Sequence, residues 1–209
     1  MNIEVTQFQA LFDKIGIIDF QYKKTKHKDG FNIFNLLSRK FDEVNLHSKF
    51  IFELLSPDGT HGCGTVFLEK LLVQFQIIDF DLENVEVRRE YRKIDLLIKN
   101  KKQAIVIENK LWAIDQPGQL ERYYNVLFDE GYRDIKIFYL SIDGKGPELH
   151  SIGNLHLLSN WSDIFSLISY EFTIDRWLES CIKETYELPA LRETLIQYRL
   201  LIQEISGKT

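Results

Sequence analysis

Two apolar runs, 93–100 (KIDLLIKN) and 103–110 (QAIVIENK), stand on either side of a short polar turn near Asn100 to Lys102. Runs of this length, closed by such a turn, read as the two strands of a tight hairpin. Each run carries an acid where a core strand favours a hydrophobe. Asp95 interrupts IDLLI, and Glu108 ends IVI, 13 residues further on. That separation suits a hairpin that brings both acids to one end. Side chains alternate along a strand, so Glu108 and Lys110 share a face. On the partner strand the alternation places Ile94, Leu96 and Ile98 on one face, Asp95 and Leu97 on the other. A buried carboxylate is costly unless paired, and two side by side repel unless a cation lies between them. Hard divalent ions with oxygen ligands, Mg²⁺ above all, suit such a place. A surface ion-pair ladder, Asp95 with Lys110 and Glu108 with a nearby Arg, fits the same pattern of residues.

The rest of the chain supplies an α/β frame for that hairpin. Helical spacing of Leu46, Phe50, Ile51 and Leu54 predicts a helix over 42–55. A turn-rich loop follows at 56–65 (SPDGTHGCGT), then a helix from VFLEKLLVQFQI. EVRREY at 86–91 alternates like a strand exposed on one face. QLERYYNVLFDEG reads as a helix with Gly131 as its stop signal. DIKIFYLSIDG gives a fourth strand and NLHLLSNW a candidate fifth. WSDIFSLISY, RWLESCI and ALRETLIQYRLLIQEI read as closing helices. A strand–helix–strand crossover in this order implies a mixed central sheet flanked by helices, with a helical C-terminal segment. The strongly apolar IVI and FYL mark central strands.

A chain of 209 residues fits one domain. We expect an N-terminal extension over 1–40, a core over 41–145 and a mainly helical completion over 146–209. The two cysteines, Cys63 and Cys181, form no CxxC pair and no disulfide framework, which suits a reducing cytoplasm. The first 20 residues have no basic start followed by an apolar run, so no signal peptide is expected. No apolar stretch reaches membrane-spanning length. A net charge of −5 argues against a protein that coats nucleic acid non-specifically, though not against local contact. The basic residues cluster at 23–28, 88–93 and 99–102. A solvated surface explains such clusters equally well.

Three (D/E)-x-K triplets occur, at Glu108–Lys110, Asp134–Lys136 and Asp143–Lys145, so the triplet alone is weak. Asp143 sits in DGKG, a turn sequence. Asp134 opens a strand with no acidic partner on a preceding strand. Only Glu108 has one, in Asp95. Pro57–Asp58 lies in a loop 50 residues before Glu108 and reads as a turn. Gln119 and Tyr123, at i and i+4, share one helix face just after Lys110. A surface Gln beside a half-buried Tyr is the plainer reading of that pair. Glu43 by itself reads as a solvated helix acid, His61 as either a turn cap or a phosphate contact. His47 and Ser48 read as local hydrogen-bonders, Trp112 as a packing residue. No GxxxxGK, GxGxxG or Cys/His metal spacing is present.

Asp95 followed by Glu108-x-Lys110 resembles the PD-(D/E)XK nuclease superfamily, with Ile94 where the name has Pro. Gln119-x-x-x-Tyr123 resembles members similar to the RecB nuclease domain. Glu43, His47, Ser48, Leu54, Leu55, Pro57, His61, Gly62 and Gly64, with ENKLWAIDQPGQLERYY, resemble a bacterial family of that superfamily. The likeness covers about 40–140 and implies a restriction-endonuclease-like fold and phosphodiester hydrolysis. It implies that Asp95 and Glu108 hold Mg²⁺, with Mn²⁺ as substitute, joined by Glu43 and the Asn109 carbonyl. Lys110 would complete the catalytic set with the two acids. Gln119, Tyr123, His61, Arg88 and Arg92 would position nucleic acid, DNA in preference to RNA, with Arg89 and Lys93 nearby. Double-strand cutters of this type are often dimers, which sets a homodimer as an expectation. The rival expectation is a catalytically inactive nucleic-acid-binding or partner-binding module of a bacterial defence or toxin system.

Overall fold

The structure, a computed structural model, describes residues 30–208. Most of the expected extension over 1–40, and the basic cluster at 23–28, lie outside the described residues. Helix α1 (Ile33–Leu37) is followed by a π-helical turn (Glu43–Ser48) that runs into α2 (Lys49–Leu55), and then by α3 (Val66–Gln74). Strands β1 (Glu86–Tyr91), β2 (Ile94–Lys99) and β3 (Gln103–Lys110) come next, then α4 (Gln119–Asp129) and β4 (Asp134–Ser141). Short turns α5 (Leu149–Ile152) and α6 (Trp161–Ile164) lead to β5 (Phe165–Ser169). A second π-helical turn (Tyr170–Ile174) opens into α7 (Asp175–Glu184), and α8 (Pro189–Ile205) closes the fold.

The five strands form one mixed sheet in sequence order. β1, β2 and β3 pair antiparallel, whereas β3, β4 and β5 run parallel. The expected α/β frame and the antiparallel hairpin are therefore present, with the apolar β3 at the centre. β3 is buried over Ala104–Asn109, so its alternation sorts side chains between two cores. Ile105 and Ile107 join Leu96, Ile98, Phe138 and Leu140 against α2, α3, α7 and α8. Ala104 and Val106 join Leu97, Ile137 and Tyr139 against Leu120, Tyr123 and Leu127 of α4. Burying a side chain of this size contributes roughly 1.5–3 kcal/mol, so a sheet covered on both faces is strongly fixed in register.

Three expectations need correction. Residues 154–161 form no strand: a 3-10 turn spans Gly153–Leu157. The fifth strand is Phe165–Ser169, inside the stretch read as a helix. Trp161, Ile164, Phe165 and Ile168 do follow helical spacing, but pairing with the open edge of β4 wins over that local pattern. As an edge strand β5 leaves Leu167 exposed, so strict alternation is lost. The third correction concerns Ile94, which packs with Leu97 rather than with Leu96 and Ile98. It follows directly on the turn Arg92–Lys93, where both residues are left-handed (φ +48° and +71°), and the strand end departs from alternation. Among the described residues no helix is long and apolar enough to cross a membrane.

Candidate active site

The paired register of β2 and β3 reaches Leu96 opposite Ile107. One step further the strands carry Asp95 and Glu108. Alternation puts Glu108 on the same side of the sheet as Val106, the side covered by α4. A cleft of about 430 Å³ opens there, lined by Glu43, Asp95, Glu108 and Lys110 together with Gln119, Arg122 and Tyr123. It lies at the carboxyl end of β3, where parallel α/β sheets commonly place ligands.

Glu108 is 1% exposed, and the Lys110 side chain 10%. The Lys110 ammonium lies 3.1 Å from Glu108 Oε1. Gln119 Nε2 donates to the same oxygen at 2.6 Å and lies 2.8 Å from the Tyr123 hydroxyl. Tyr123 in turn donates to the Lys93 carbonyl at 2.5 Å, which ties α4 to the β1–β2 turn. Glu108 Oε2 is buried with no hydrogen-bond partner among the described residues. Asp95 accepts the Asn109 backbone N–H at 2.9 Å. Burial pushes the Glu108 carboxyl up to about 8, and the neighbouring Asp95 charge pushes the same way. Burial likewise raises Asp95 above the ordinary carboxylate range, against the pull of the Asn109 N–H and Lys110. These acids are sequestered, which sets aside the surface ion-pair ladder.

Glu43 reaches the cleft from the first π-helical turn. Its carboxylate accepts the backbone N–H groups of Leu111 and Trp112, so it braces the chain just beyond Lys110. Asn109 points to the opposite face from Glu108. Its amide donates to Ser48 Oγ at 3.0 Å and to the Glu43 carbonyl, and its oxygen accepts from the Tyr170 hydroxyl at 2.9 Å. His47, also on that face, is fully buried between the Tyr198 hydroxyl and the Lys40 carbonyl, so its bonds are long-range as well as local.

The other expected positioning residues lie apart. His61 uses both ring nitrogens within its own loop, toward Ser56 O and from Cys63 N–H, and does not line the cleft. Its ring packs so close to Gly59 that a Cβ there would clash. Arg88 and Arg92 lie over the Tyr91 ring and pair with Glu86 and Glu130, outside the cleft. Trp112 is exposed and meets Phe41 edge-on. Asp134, paired with Gln103, marks the far end of β3 and β4, and Asp143 accepts from Lys145 N–H in a turn. Arg122 also lines the cleft. Its place is legible in the sequence, because position i+3 from Gln119 lies on the helix face shared with Tyr123.

Among the described residues no three His, Cys, Asp or Glu side chains form a metal-binding group. Two carboxylates still fit Mg²⁺, which keeps several waters and commonly takes one or two protein carboxylates plus substrate phosphate. The unpartnered Glu108 Oε2 beside Asp95 is the donor chemistry such an ion requires. A family model described as the PD-(D/E)XK nuclease superfamily matches residues 31–199. No match is found among curated proteins or among solved structures.

Proposed function

The chain belongs to the PD-(D/E)XK nuclease superfamily, and on that premise we propose that it is a divalent-cation-dependent nuclease that hydrolyses phosphodiester bonds in DNA. The observation that carries this reading is the convergence of half-buried Asp95 and buried Glu108 on one cleft, with Glu108 Oε2 unpartnered while Oε1 meets Lys110. Asp95 and Glu108 would hold Mg²⁺, with Mn²⁺ as substitute, and Glu43 would act by bracing the segment after Lys110. When bound, the cation lowers the pKa of a coordinated water and neutralises charge on the scissile phosphate.

The chain's own residues do the positioning. Gln119 holds one Glu108 oxygen, and Tyr123 fixes Gln119 from the far side. Lys110 keeps its ammonium at Glu108, where it can meet negative charge that builds on a phosphate. A reducing cytoplasm is the proposed compartment, and a homodimer is proposed for a duplex substrate, since each cleft supplies one such set.

Purified protein should cleave DNA with Mg²⁺ or Mn²⁺, and EDTA should stop it. Lys110→Ala should slow cleavage roughly 10²–10³-fold while Mg²⁺ binding persists. Asp95→Asn should abolish Mg²⁺ binding in isothermal titration. Binding without cleavage, with either metal and with DNA or RNA, would move the protein to the nucleic-acid-binding reading. Equal Mg²⁺ binding by wild type and Asp95→Asn would remove the metal assignment.

A further inference from the structure

Arg122 lines the cleft, and two of its guanidinium nitrogens, Nε and Nη2, are buried without a hydrogen-bond partner among the described residues. Native proteins rarely leave such donors unused, and a charged one is the most costly to leave so. Lys110, also in the cleft, is already paired with Glu108. Arg122 stands on the same face of α4 as Gln119 and Tyr123, with its guanidinium 5.1 Å from the Tyr123 ring centre. That ring gives the planar group a surface to rest on and limits its freedom. The Nε–Nη2 edge carries parallel N–H groups that match two oxygens of a phosphate once the side chain turns it toward the cleft.

We infer that Arg122 is a positioning residue that binds a backbone phosphate of the substrate next to the one cleaved. This rests on the nuclease reading above and adds a subsite to it. The placement separates two tasks: Glu108 and Lys110 at the end of β3 act at the reacting phosphate, whereas Arg122, one helical turn along α4 from Gln119, holds the strand. A phosphate contact of this kind fixes register without reading sequence.

The test uses the whole chain with Ca²⁺ in place of Mg²⁺ and fluorescein-labelled DNA, single-stranded and duplex. Anisotropy gives Kd as a function of KCl concentration, and cleavage in Mg²⁺ gives KM and kcat. Arg122→Ala should raise Kd and KM about tenfold or more and change kcat less. It should also make the slope of log Kd against log salt shallower by roughly 0.7–0.9, the value of one phosphate contact. Arg122→Lys should restore the slope and only part of the affinity, because it keeps charge and loses the fork. Arg176→Ala, on the exposed side of α7, should match wild type. A single methylphosphonate moved along the strand should weaken wild-type binding at one position beside the cut, and Arg122→Ala should be indifferent there. If wild type binds and cleaves while Arg122→Ala keeps the same KM and salt slope, the phosphate role is overturned and the nuclease reading stands. Loss of fold in both Arg122→Ala and Arg122→Lys would make the residue structural and overturn it too. If wild type neither binds nor cleaves, the nuclease reading falls first and the subsite with it.

Discussion

Asp95 and Glu108 are held against their own preference: both are pushed above the ordinary carboxylate range, first by burial and, for Glu108, next by the neighbouring Asp95 charge. A sequestered acid pair of this kind destabilises the folded chain, and catalytic sites commonly trade stability for chemistry in this way. Removing one charge while keeping shape should reverse the effect. In the absence of divalent metal, Asp95→Asn should raise the unfolding free energy by about 1 kcal/mol, within the usual range of single substitutions. The variant oxygen can still accept the Asn109 N–H. Added Mg²⁺ should stabilise wild type progressively, as any ligand of the native state does, and leave Asp95→Asn unmoved. Thermal melts with and without Mg²⁺ check both halves. A variant less stable than wild type without metal would show that the Asp95 charge is compensated.

At the level of elements, the two-residue connection from β1 to β2 is the least expected feature. Arg92 and Lys93 both take positive φ, as does Glu90, separated from them by Tyr91. A hairpin turn with two left-handed residues favours Asn-Gly, and Arg-Lys carries no such signal. Left-handed backbone costs an ordinary residue roughly 1–2 kcal/mol, and here Tyr123 grips the Lys93 carbonyl in compensation. Changing Arg92→Asn together with Lys93→Gly should therefore stabilise the protein by about 1 kcal/mol in urea unfolding, with the m-value unchanged. A loss of stability would mean that the Arg92 and Lys93 side chains outweigh the backbone strain. The hairpin of Asp95 and Glu108 was legible because polarity interrupts two apolar strands at matched places. Helical spacing put Gln119 and Tyr123 on one face, but only the family resemblance pointed that face at the acids. β5 was not, because its residues also satisfy a helical period and only the vacant edge of β4 decides between the two. The side-chain role of Asn109 was equally hidden. It faces away from the acids and joins the two π-helical turns, through Ser48 and the Glu43 carbonyl on one side and Tyr170 on the other. Contacts that span 61 residues leave no local pattern.

Across the whole molecule, the helical layer behind the sheet is fastened through His47. The π-helical turn that carries Glu43 also presents this imidazole to the Tyr198 hydroxyl of α8 at 2.9 Å and to the Lys40 carbonyl at 2.8 Å. The Tyr170 ring stands 5.3 Å away, and among the described residues Asp42 is the carboxylate whose charge acts on it. Burial dominates and lowers the His47 pKa from 6.5 to about 4, against the opposing Lys40 carbonyl and Asp42. The sign of the consequence follows from proton counts. Above pH 6.5 the imidazole is neutral in both folded and unfolded chains, and its contribution to stability is whole. As pH falls from 6.5 toward 4, the unfolded chain binds a proton that the folded chain refuses, so stability drops. The full window corresponds to about 3 kcal/mol. His47→Gln should cost stability at pH 7–8 through its altered bonds to Tyr198 and Lys40, yet lack this acid slope. The unfolding free energies of wild type and His47→Gln, measured in urea from pH 8 to pH 4, should therefore converge by up to about 3 kcal/mol on the acid side. Asp95 and Glu108 titrate in both proteins and cancel from the difference. A difference that stays constant across the range would mean that His47 accepts its proton in place, with the π-helical turn and α8 still joined.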